Sequence, residues 1–119
     1  DSLSDLLYVA DMFNDRICVL SSHDGSFKRS FSSKGSGNGQ FSRPYGIYVS
    51  DDGQFIAISD SHNHRVQIFR NDGSFVASYG SRGSGDGQFF YPSHLCLNNE
   101  GDLLVCDNSN HRIVRIRAI

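Results

Sequence analysis

The sequence predicts an all-β fold, a β-propeller segment of four-stranded antiparallel blades that forms an incomplete ring. Three observations predict it. The segment Ser33-Lys-Gly-Ser-Gly-Asn-Gly-Gln-Phe41 returns 48 residues later as Ser81-Arg-Gly-Ser-Gly-Asp-Gly-Gln-Phe89. Its flanks return with it: His23-Asp-Gly-Ser-Phe27 as Asn71-Asp-Gly-Ser-Phe75, Pro44 as Pro92, and Asp52-Gly53 as Glu100-Gly101. A second signature occurs three times, as Asp11-Met-Phe-Asn-Asp-Arg16, Asp60-Ser-His-Asn-His-Arg65 and Asp107-Asn-Ser-Asn-His-Arg112. Short β-rich runs between turn residues, repeated at this length and without an amphipathic helical period, describe a stack of small sheets.

The elements follow in order. The first, partial blade occupies 1–32 and opens on its second strand, at 6–10. The full blade, 33–80, holds strands at 45–50, 55–59, 65–70 and 74–79. Asp51-Asp52-Gly53 and Asn71-Asp72-Gly73 close its hairpins, because glycine accepts positive φ without a Cβ clash. The turn 60–64 and the glycine loop make the other two connections. The last blade, 81–119, ends on its third strand at 114–119, which gives ten strands with neither terminal blade whole. The triple signature is spaced by 49 and then 47 residues, and a residue lost from the strand 103–106 accounts for the shorter interval.

Ile47, Val49, Ile56, Ile58, Val66 and Ile68 mix continuous with alternating apolar character, as a sheet covered on both faces requires. Stacked units bury their cores against one another, so the outermost faces are expected to carry apolar surface and unpaired edges. Arg115 and Arg117 blunt one such edge. The isolated chain is accordingly expected to self-associate, or to need missing blades to complete its ring.

Hydrophobic residues make up 38% of the chain and charged residues 20%, with a formal net charge of −2. That balance suits an ordinary globular domain and gives no reason to expect a polyanion or membrane surface as partner. No apolar run approaches the ~18 residues of a membrane span, and no signal-peptide pattern is present. Asp1-Ser-Leu-Ser reads as an arbitrary beginning that leaves room for an upstream signal. Cys18, Cys96 and Cys106 form no Cys-x-x-Cys pair, so reduced, buried thiols and a cytoplasmic setting are expected.

The repeated side chains read as structure. Asp11, Asp60 and Asp107 each precede Arg16, Arg65 and Arg112 by five residues. Such an aspartate can accept turn amides and pair with the arginine fork. Its presence in every unit argues against a single catalytic carboxylate. Gly35, Gly37 and Gly39 are not followed by the Gly-Lys-Ser/Thr of a phosphate loop, so no nucleotide is expected. His62 and His64 lie two apart with no local glutamate, and His23 has no functional argument. No metal, no other cofactor and no catalytic set are expected.

In order, Gly-x-Gly-x-Gly-Gln-Phe-x-x-Pro, Asp-Gly, Asp-x-x-Asn-His-Arg and Asp-Gly-x-Phe resemble the NHL repeat, through Asn63-His64 and Asn110-His111. The resemblance implies a six-bladed propeller, of which this chain would supply about two and a half blades. Asn14-Asp15 departs from the pattern in the first copy, and His94 departs where Gly46 stands in the previous one. In NHL proteins with a tripartite motif the propeller is a recognition domain joined to a ubiquitin-ligase module, so that context is implied too.

Antiparallel connectivity places the Asp-x-x-Asn-His-Arg turns and the glycine loops on one rim and the Asp-Gly turns on the other. The first rim carries the variable side chains Phe13, Arg43, Tyr45, His62, Tyr91 and His94, which are the binding candidates. Phe90 divides between recognition and packing beside Phe89. The expected function is a non-enzymatic module that binds a protein or peptide. RNA, met by Lys34, Arg43 and Arg82, is the alternative suggested by some NHL propellers. Against it stands the balance left without the turn residues, eight basic groups to ten acidic. A lyase or hydrolase, known on related six-bladed folds, is the third reading.

Overall fold

The computed structural model describes residues 5–117. Three antiparallel sheets lie side by side. The first holds β1 (Leu6–Asp11), β2 (Arg16–Ser21) and β3 (Phe27–Phe31); the second holds β4 (Pro44–Val49), β5 (Phe55–Asp60), β6 (Arg65–Arg70) and β7 (Phe75–Tyr79). The third holds β8 (Pro92–Leu97), β9 (Leu103–Asp107) and β10 (Arg112–Ile116). Each sheet is a meander in chain order, and the inner strand β4 lies against both β1 and β8. Single 3₁₀ turns, Met12–Asn14, Ser61–Asn63 and Asn108–Asn110, join the second and third strand positions of each unit.

Two cores hold the stack together, one on each face of the middle sheet. Ile56, Ile58 and Phe69 pack with Ile17 and Phe41 against the first sheet. Ala57, Val66 and Ile68 pack with Phe89, Leu103 and Val105 against the third. Alternation along β5 sends Ile56 and Ile58 one way and Ala57 the other, so the strand reads as a continuous apolar run. Phe41 and Phe89, one in each glycine loop, are fully buried at the two sheet junctions. Burying a side chain of this size contributes about 1.5–3 kcal/mol, which makes the loops part of the core. Phe69 gathers Phe31, Phe41 and Phe75 at ring separations of 5.5, 5.4 and 5.9 Å.

Three expectations need correction. The last strand begins at Arg112, two residues before the expected start, because Arg112 pairs with Asp107 as Arg65 pairs with Asp60. The end of the expected strand, 118–119, lies outside the described residues, as do 1–4. The residue missing from the third unit falls in a turn. Residues 50–55 separate the paired Val49 and Ile56, whereas only 98–102 separate Leu97 and Leu103. Finally, only Cys18 is buried; Cys106 is partly covered and Cys96 is exposed. Cys96 stands opposite Leu104, and Cys106 opposite Ile113, so adjacent strands do not bring these thiols face to face. Among the described residues no helix is long and apolar enough to cross a membrane.

Candidate functional site

The repeated Asp-x-x-Asn-x-Arg turns build the rim. Asp60 is fully buried; its Oδ1 accepts the Ser42 amide at 2.8 Å. Its Oδ2 accepts Asn63 Nδ2 at 2.9 Å, Arg65 Nε at 2.8 Å and Gln67 Nε2 at 3.1 Å. Arg65 spends three further donors on the glycine loop, on the carbonyls of Ser36, Gly37 and Gln40. Asp107 repeats the node, accepting the Phe90 amide at 2.6 Å and Arg112 Nε at 2.9 Å, while Arg112 holds Ser84, Gly85 and Gln88. A node made this way ties a turn, two strands and the preceding loop together, and engages both oxygens of the carboxylate in holding them. Asp11 makes the partial version with Asn14 and Arg16, and the Arg16 hydrogen bond holds its carboxyl below the usual range.

A second device crosses between sheets, and sequence spacing gave no sign of it. Arg43 and Tyr91 adopt left-handed backbone, at φ 54° and 55°. Their amides donate across the junction, Arg43 to Asp15 Oδ1 at 2.7 Å and Tyr91 to His64 Nδ1 at 3.0 Å. The Asn14-Asp15 departure thus keeps the acceptor and changes its chemistry. His64 is also the left-handed residue that ends its 3₁₀ turn, as expected of a turn residue. Its ring stacks on Phe90 at 5.3 Å, and Arg82 lies over the other partner, 5.4 Å from the Phe90 centroid. Burial, then the Arg82 guanidinium and His62, hold His64 below the ordinary imidazole pKa. The ring therefore stays neutral and its Nδ1 free to accept.

These devices hold open a cleft of about 330 Å³ on the rim. Arg43, Tyr45, His62, Tyr91 and His94 all line it. The sixth candidate, Phe13, stands beside it with the Arg43 guanidinium 4.9 Å over its ring. Tyr45 meets His94 edge to face at 4.9 Å, and His62 meets Tyr91 in the same way at 5.2 Å. Met12, Ser61, Ser93 and Asn108 complete the lining and were not anticipated. A signal for them existed: Met12, Ser61 and Asn108 each follow the turn aspartate, so one column of the repeat varies in every copy. Phe90 is partly buried on His64, which places it with the packing at the junction.

The His94 departure has a steric counterpart. At Gly46 the third sheet presses so close that a Cβ would strike the Ser93 carbonyl and the Ser59 hydroxyl. Ser59 in turn donates to the Ser93 carbonyl and accepts the Gly46 amide at 2.7 Å. His94 is exposed, with room for its ring. Lys34 and Arg82 are exposed in the glycine loops but do not line the cleft. His23 lies elsewhere, with Nε2 3.3 Å from Asp5. Among the described residues no three His, Cys, Asp or Glu side chains cluster as metal ligands would.

Comparison with known proteins bears on both fold and family. The NHL repeat matches residues 41–69 and 89–116. NHL repeat-containing protein 2 of Bos taurus is 29% identical over a match covering 57% of this chain and 10% of that protein. E3 ubiquitin-protein ligase TRIM71 of Mus musculus is 44% identical over 34% of this chain and 5% of that protein. The matched part of the chain thus spans a tenth or less of the length of these relatives. Among solved structures, streptogramin B lyase superposes with a TM-score of 0.71 at 22% identity, over 98% of this chain and 35% of that one. An auxiliary nutrient binding protein from Bacteroides thetaiotaomicron gives 0.70 at 16% identity, over 92% and 34%. At these identities the two structures speak for the fold alone, which is that of a β-propeller. Two matched repeats, with the three sheets and the nodes that join them, make the chain similar to NHL-repeat proteins.

Proposed function

We propose that this chain is a binding module without catalytic activity of its own, and that it recognises a protein or peptide through the rim cleft. The observation that carries the reading is the division of labour within the repeat. Repeated residues (Asp60, Arg65, Asp107, Arg112) are consumed in holding loops, while the varied columns (Arg43/Tyr91, Tyr45/Ser93, His62) converge on one cleft. Varied aromatic and arginine side chains on loops over a rigid scaffold suit recognition. A cytoplasmic setting and a ubiquitin-ligase context belong to the same reading, the latter because one relative bears that name.

The test is panning of a displayed random-peptide library on the 119-residue chain, followed by binding of the selected peptides to wild type, Arg43→Ala and Tyr45→Ala. The reading expects selected peptides whose binding both variants weaken. Peptides bound equally by all three proteins would remove the cleft from the account. Tight, salt-dependent binding of a short single-stranded RNA, with no peptide selected, would replace the protein partner by RNA.

A further inference from the structure

Resting on that reading, we propose that the cleft selects peptides presenting one carboxylate, an Asp or Glu side chain, with Arg43 as its anchor. The lining is rich in donors and poor in charge. Arg43 brings a planar guanidinium, Tyr45 and Tyr91 bring hydroxyls, and Asn108 brings an amide, whereas among the described residues no Asp or Glu lines the space. The carboxylates around it are occupied. Asp15 accepts the Arg43 amide, and Asp60 and Asp107 are buried in their nodes. The guanidinium rests on Phe13, a ring whose face favours a cation and fixes the fork without using its N–H groups. Planar donors held in this way match a carboxylate in bidentate fashion.

Among the described residues Arg43 is the one Lys or Arg in the lining, which also distinguishes this ligand from a nucleic acid. A polyanion is tracked by several cations and by open ring faces on which bases stack. Here Lys34 and Arg82 lie outside the lining, and Arg82 covers Phe90. The Tyr45 and Tyr91 rings meet His94 and His62 edge to face. One carboxylate, bordered by neutral donors and aromatic edges, is the group this arrangement completes.

The experiment uses the selected peptides as probes in fluorescence anisotropy with the whole chain. The expected result is an acidic residue shared by the peptides, whose replacement by its amide weakens binding about tenfold or more, the loss of a hydrogen bond to a charged group. Arg43→Gln should abolish the difference between acid and amide peptides, whereas Lys34→Gln should preserve it. Arg43 is exposed, its hydrogen bond across the junction is through the backbone amide, and the Phe13 ring under its guanidinium is itself exposed, so a thermal melt should find the variant folded. Equal binding of acid and amide peptides by wild type would overturn the carboxylate inference while leaving a peptide-binding module in place. Failure to select any peptide would overturn the module itself. Free glutarate that competes at the peptides' own affinity would overturn the peptide part and leave a small-acid pocket.

Discussion

Replacing Asp60 by Asn tests how much of the rim is held by one carboxylate. The substitution keeps the shape and removes the charge from four accepted hydrogen bonds, to Ser42, Asn63, Arg65 and Gln67. Asp60 is fully buried, and its partner Arg65 has a side chain only 11% exposed. Breaking a buried pair costs about 3–5 kcal/mol. Arg65 keeps three carbonyl partners, so the lower end, about 3 kcal/mol, applies. At about 2.1 cal/mol/K per residue, a chain of this length loses about 12 °C of Tm for that cost. The chain has no tryptophan, so circular dichroism through urea and thermal unfolding is the assay. Asp11, whose side chain is 28% exposed and which grips no glycine loop among the described residues, should lose less on the same change. A cost under about 1 kcal/mol for Asp60→Asn, or an equal drop for Asp11→Asn, would refute the node as the organising contact.

Three further outcomes follow from named contacts. His64 has a folded-state pKa below its unfolded value, so the unfolded chain takes the proton first. The stability held by its clasp on Tyr91 is therefore full above about pH 6.5 and falls as acid carries the solution through the unfolded value. His64→Asn, which can still accept the amide from left-handed backbone, should flatten that slope in urea midpoints between pH 7.5 and 5.5; an unchanged slope refutes the assignment. Gly46→Ala should cost about 1–3 kcal/mol by forcing a Cβ onto the Ser93 carbonyl, and a neutral result would show that the sheets part easily there. Leu7 and Val9 on β1 and Ile113 on β10 are 48%, 42% and 62% exposed, so light scattering should find self-association at high concentration, reduced by Ile113→Lys. A sharp monomer peak for the wild type at every concentration would contradict it.

The fold was legible because the repeat writes each local decision twice or three times. Asp-Gly closes the hairpins, with Gly53 at φ 72°, and Phe41 and Phe89 recur at fixed distance from the loop glycines. The Asp-to-Arg spacing of five maps onto strand ends that face each other in register, as Asp60 faces Arg65. The cross-sheet clasp was not legible. Asp15 and Arg43 are 28 residues apart, His64 and Tyr91 are 27, and the two acceptors share only the ability to receive an N–H. Whether a strand end or a turn loses a residue also depends on pairing, which is why the shorter third unit was assigned to a strand. The exposure of Cys96 follows from which face of β8 the third sheet turns outward, a property of stacking that a lone cysteine does not report. All six binding candidates reached one neighbourhood because connectivity alone sends the turns and glycine loops to a common rim; their lining partners Ser93 and Asn108 are small polar residues without an individual signal.

The most direct test of the rim as binding surface is a residue-resolved amide shift map of the isotope-labelled chain titrated with a selected peptide. The account predicts shifts concentrated at Arg43, Tyr45, His62, Tyr91 and His94, with the opposite rim at Gly53, Gly73 and Gly101 undisturbed. Shifts centred on those Asp-Gly turns, with the cleft residues unmoved, would contradict it.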